Sequence, residues 1–173
     1  MFEHLIEQPN VLFAAWRRFG VYLFEGPISI ADIDRIEMAG SQFFRKTPGK
    51  IVEMVVIFPS DARMTNEQRA HLGKSIKRWE SRRIASATVI LATDLVGSMQ
   101  RSVLTGLQLI TRPPHPTKVF GKVDEALLWL APHVAEACGI DATYPKVMAG
   151  IHDATVRFAA RPEKAPASSH ATT

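Results

Sequence analysis

The chain has 173 residues, 46% of them apolar and 22% charged, which is enough for one globular domain with its own core. No apolar run reaches the roughly 18 residues of a membrane-spanning helix, and the acidic start MFEHLIEQPN lacks the basic-then-apolar order of a secretory leader, so the expected compartment is cytoplasmic. The net charge of +4 sits on one stretch: residues 66–83 carry six Lys/Arg against Glu67 and Glu80, and the rest of the chain balances to zero.

Residues 11–16 and 21–25 are short apolar and aromatic runs separated by Arg17-Arg18-Phe19-Gly20. Gly20 can supply the positive φ of a tight loop, so the pattern predicts a β-hairpin. Gly26-Pro27 breaks the second run. Ser29, with Asp32 three residues on, marks a helix start, and the helix is expected over about 30–44 with Ile30, Ile33, Ile36, Phe43 and Phe44 inward. Thr47-Pro48-Gly49 ends it.

Residues 51–58, IVEMVVIF, are nearly all apolar and rich in β-branched side chains, as in a strand covered on both faces. Thr65 can cap a helix over 66–83, with Leu72, Ile76 and Trp79 as its inner stripe and Lys74, Lys77, Arg78 and Arg82 outward. A second buried-strand run, 85–92, leads through Thr93-Asp94-Leu95-Val96-Gly97 into an amphipathic helix at 98–111, which Arg112-Pro113-Pro114-His115-Pro116 stops. Parallel pairing of these two strands would place Val55, Ile57, Val89 and Leu91 in the core.

Residues 117–120 form a short further β-run. The helix after it begins with Asp124 and Glu125, Pro132 is expected to kink it or to begin a second short piece, and Gly139 is its expected left-handed terminator. A last helix is expected over 141–160, its narrow apolar stripe made of Val147, Met148, Ile151, Thr155 and Phe158. It is read as an accessory helix that could dock on its own domain or pair with a second copy as a homodimer. Beyond it, residues 161–173 are a Pro/Ala/Ser tail too poor in apolar groups to order itself. Alternating strands and helices argue an α/β fold: a mainly parallel sheet of four or five strands with an N-terminal hairpin, flanked by four helices, plus the extra C-terminal helix over 140–160.

This layout, with the turn Gly97-Ser98 continuing as MQRSVLTGL and the ending KVFGKVDEALLWL at 118–130, resembles the STAS domains and their SpoIIAA-like relatives. The likeness covers about residues 11–130. It implies a SpoIIAA-like core within residues 1–139 and a regulatory role through protein contact. Anti-sigma antagonists of that family carry a phosphorylated Asp-Ser-Ser/Thr-Gly turn. The corresponding turn here reads Pro59-Ser60-Asp61-Ala62-Arg63-Met64-Thr65 and departs from the pattern, with Ser60 and Thr65 nearest to the modified place.

Two groups of residues are candidates for a binding surface. Ser60, Asp61 and Thr65, with Lys74 and Arg78 on the basic helix that follows, could meet an acidic protein partner. Asp94, Ser98 and Arg101 lie at a strand end and a helix start, where free amides can hold an anion. The plain alternatives are that Ser98 only caps its helix and that the basic residues are a solvated outer face. No catalytic constellation, Walker loop, dinucleotide fingerprint or His/Cys metal spacing is present, and basic and aromatic residues are not interleaved as nucleic-acid binding would want. The expectation is a non-enzymatic protein-interaction module without metal or cofactor and without a nucleic-acid partner. The alternative is a small-molecule or lipid-binding domain, which should have a concave apolar pocket.

Overall fold

In the computed structural model, which describes residues 2–60, 64–91, 113–139 and 144–160, the chain opens with three strands, β1 (Glu3–Gln8), β2 (Val11–Trp16) and β3 (Phe19–Phe24). Then follow α1 (Ile30–Lys46), β4 (Ile51–Ile57), α2 (Asn66–Arg78), a 3-10 turn (Glu80–Arg82), β5 (Arg83–Ile90) and β6 (Thr117–Phe120). Helices α3 (Val123–Cys138) and α4 (Tyr144–Ala159) close the described chain. The strands form one mixed sheet in sequence order, antiparallel from β1 to β3 and parallel from β3 to β6.

The α/β class and the hairpin agree with the sequence, but the sheet has six strands among the described residues, not four or five. The extra one is β1, whose Glu3, His4 and Glu7 are exposed and whose Leu5 interrupts the register with β2. A bulged edge strand with charged side chains is a common defence against edge-to-edge pairing. The hairpin turn also differs from expectation. Its two central residues are Arg17 and Arg18, and the positive φ, +53°, falls on Arg17. Gly20 lies inside β3, where an added Cβ would come within 3.3 Å of the Phe13 ring.

Helix starts follow their capping residues. The Ser29 hydroxyl accepts from the Asp32 amide while the Asp32 carboxylate accepts from the Ser29 amide, and Thr65 and Gln68 repeat this reciprocal pair at α2. α3 runs unbroken through Pro132 and ends at Gly139, φ +61°. Strand periodicity sorts the core into two faces. Phe19, Val21, Val52, Met54, Val56, Ala87 and Val89 point toward α3 and α4, while Phe13, Tyr22 and Ile51 point toward α1. Hence Val89 is buried as expected, whereas Val55, Ile57 and Leu91 are only partly covered and Met54 and Val56 take the deepest places in β4.

α4 docks on its own domain. Val147, Ile151, Ala154 and Phe158 are buried in the same cluster as the sheet, and the Phe158 ring lies 5.2 Å from that of Phe58. The stripe that could have met a second copy is therefore used within the chain. Among the described residues, no helix is long and apolar enough to cross a membrane.

Candidate functional site

Of the first candidate group, Ser60 is exposed just beyond β4 and Thr65 is exposed at the start of α2. The Thr65 hydroxyl accepts from the Gln68 amide at 3.1 Å, so its side chain works as the helix cap. Asp61 falls outside the described residues, as do Asp94, Ser98 and Arg101 of the second group and the helix expected over 98–111.

The basic stretch does not form a single surface. Arg83 turns inward as the first residue of β5, and Arg82 bonds the Thr47 carbonyl at 2.8 Å and the Gly49 carbonyl at 2.9 Å while its guanidinium lies over the Phe44 ring. Arg78 is ion-paired with Glu37 of α1, and two turns back along α2 His71 Nε2 stands 2.7 Å from Asp34. Lys74 and Lys77 are exposed and form no ion pair among the described residues. The inner stripe also differs from expectation. Only Ser75 is buried on α2, Leu72 and Trp79 are half-buried, and Ile76 is 47% exposed. The contacts of the helix with the rest of the chain include these polar bridges to α1, the bond from Arg83 to the Ile76 carbonyl and the stacking of Trp79 on Phe44.

Beneath α2 lies a buried polar cluster that the sequence reading missed. Glu53 and Arg83 are 7% and 8% exposed and meet at 3.0 Å, and Arg83 Nη1 donates to the Ile76 carbonyl in the last turn of α2. One residue thus ties β4, β5 and α2 together. Burial would pull the Arg83 guanidinium down, yet Glu53 beside it holds it above its ordinary value. Burial and then Glu53 push the Tyr22 hydroxyl well up. Burial and Arg83 pull His115 down. Arg83 Nε and His115 Nδ1 are buried without a hydrogen-bond partner among the described residues. The available signal was Glu53 itself, a carboxylate in the middle of an apolar strand, which demands a buried cation nearby.

A concave basin of about 550 Å³ opens where the β2–β3 turn meets the ends of α1 and α3. Arg17, Arg18 and Lys46 line it with Glu136 and Cys138. Arg17 Nη1 donates to the Cys138 carbonyl at 3.1 Å and Arg18 Nη1 to the Ala137 carbonyl at 3.3 Å, satisfying the end of α3. The Cys138 thiol is half-buried and is pushed up by burial. Among the described residues, no group of three or more His, Cys, Asp or Glu side chains could hold a metal ion.

Comparison of the chain with protein-family models, with curated proteins and with solved structures found no match.

Proposed function

We propose that this chain is a non-enzymatic protein-interaction module of the STAS/SpoIIAA-like kind, with the outer face of α2 as its contact surface and an acidic protein as its partner. The observation that carries the reading is the poverty of burial on α2: one buried residue in a 13-residue helix, with Lys74, Lys77 and Arg78 exposed and Ile76 nearly half so. Two cations without ion pairs among the described residues, beside an exposed aliphatic group, suit a complementary acidic surface. What the structure shares with that reading is the α/β class, with a hairpin leading into the parallel run β3 to β6 and helices on both faces. Ser60, exposed where β4 ends, is the candidate for modification.

A lipid-binding module would want apolar walls, whereas the walls of the basin described above include Arg17, Arg18, Lys46 and Glu136. The test of the interaction reading is affinity capture from the native lysate with wild type and with Lys74→Glu/Lys77→Glu, which leaves the Arg78–Glu37 bridge intact. A specific partner should be lost from the variant and should weaken with added salt. A partner held equally by both proteins would remove α2 from the mechanism.

A further inference from the structure

We propose that the basin at the hairpin end of the sheet binds a small dianionic ligand, a phosphate or pyrophosphate group, through Arg17, Arg18 and Lys46. Two segments far apart in sequence supply these cations, the β2–β3 turn and the last turn of α1, and the end of α3 completes the basin. The site is separate from the outer face of α2 and does not depend on the interaction reading.

The turn itself points to a use for Arg17. A two-residue hairpin turn with positive φ at its first central position takes glycine there, because a side chain strains that conformation. This chain instead has an arginine at φ +53°. Backbone strain of this sort collects where a side chain is needed. The Cys138 carbonyl takes one Nη1 donor of Arg17, and the Ala137 carbonyl takes one of Arg18. A guanidinium has five N–H donors in a rigid fork, so each contact orients its arginine while leaving donors to offer an anion. Arg18 is further fixed by Gly49, φ +91°, where a Cβ would lie 3.2 Å from the guanidinium carbon.

The charge balance favours an anion. The lining holds three cations against the one carboxylate of Glu136. The ends of α1 and α3 each contribute about half a negative charge, which leaves the basin with a net charge of about +1. Lys46 is engaged only loosely, 3.8 Å from Glu3 with both side chains largely exposed, so it can turn to a ligand. The basin is shallow and open, which suits a small hydrated anion, and the polar walls select a charged occupant over an apolar one.

Titration calorimetry with inorganic phosphate and pyrophosphate at low ionic strength tests the site. Wild type should bind one equivalent saturably. Arg17→Gly and Lys46→Ala should each weaken binding by about tenfold or more, the scale of one charged hydrogen bond, while Lys74→Ala/Lys77→Ala should leave it unchanged. Glycine carries a positive φ freely, which offsets the lost bond to the Cys138 carbonyl, so Arg17→Gly should melt within a few degrees of wild type, showing that lost binding is not lost folding. The proposal is overturned if wild type never saturates, if both basin variants bind as wild type does, or if the α2 variant loses as much as they do.

Discussion

The two faces of the sheet are held by different physics. Toward α3 and α4 the contacts are almost wholly apolar: Leu130, Ile151 and Phe158 are fully buried against Val21, Val52, Met54 and Val89. Toward α1 and α2 an aromatic group around Phe13, Tyr22, Phe43 and Phe44 covers β2 and β3, but the part under α2 rests on Glu53, Arg83 and ion pairs between helices. Apolar burial does not depend on protonation and is not weakened by ionic screening, whereas paired charges are sensitive to both. The molecule therefore has one face built for stability and another whose outermost helix answers to its charge environment.

Removing residues 140–173 is the most severe test of the apolar face. The truncation strips away Val147, Ile151, Ala154 and Phe158, side chains worth on the order of 5–8 kcal/mol together at the usual burial values. That is comparable to the whole stability of a domain of this size. The truncated chain should show no cooperative melting transition in circular dichroism. A truncated protein that melts within a few degrees of wild type would show that α4 is an add-on and that the sheet face is closed without it.

The second test falls on the polar face. Arg83→Ala leaves the Glu53 carboxylate buried without its partner and should cost about 3–5 kcal/mol in chemical denaturation. Replacing both residues, as Glu53→Leu/Arg83→Met, should recover most of that loss, since a buried ion pair and a well-packed apolar pair are often close in stability. Losses from Glu53→Leu and Arg83→Met that simply add in the double variant would mean that the two residues are not energetically coupled, and the contrast between the faces would fail.

Much of this organisation is legible in the sequence where a residue acts on its immediate neighbours. Ser29 with Asp32 fixes the start of α1, Thr65 starts α2, Gly139 ends α3, and the β-branched run in β4 gives a strand covered on both faces. What could not be read depends on distant pairing. β1 alternates too weakly to declare itself, because its edge position tolerates charge. Arg83 reads as the last cation of a basic helix, and only the registry of β4 with β5 turns it onto Glu53. The basin is likewise invisible, since Arg17 and Arg18 read as turn residues and Lys46 as a helix end until the fold joins them.

The smallest expected effect sharpens the comparison through pH. His115 precedes β6, feels Arg83 as a like charge and feels Glu53 and Glu80 as opposite charges, with burial the largest influence on it. The net result is a folded-state pKa below the ordinary imidazole value of about 6.5. The sign follows directly. Above that ordinary value the ring is neutral in both states and the full stability is present. As pH falls below it, the unfolded chain takes up the proton first, and stability declines until pH passes the folded-state value. Wild type should therefore melt at a lower temperature at about pH 5 than at neutral pH, and His115→Gln should flatten that decline. Asp32 does not confuse the result. Burial pushes its carboxyl up, but hydrogen bonds from Ser29 outweigh this and hold it below its ordinary value, so its contribution is lost only in stronger acid. A decline of the same slope in His115→Gln would place the pH sensitivity elsewhere and detach it from the polar face.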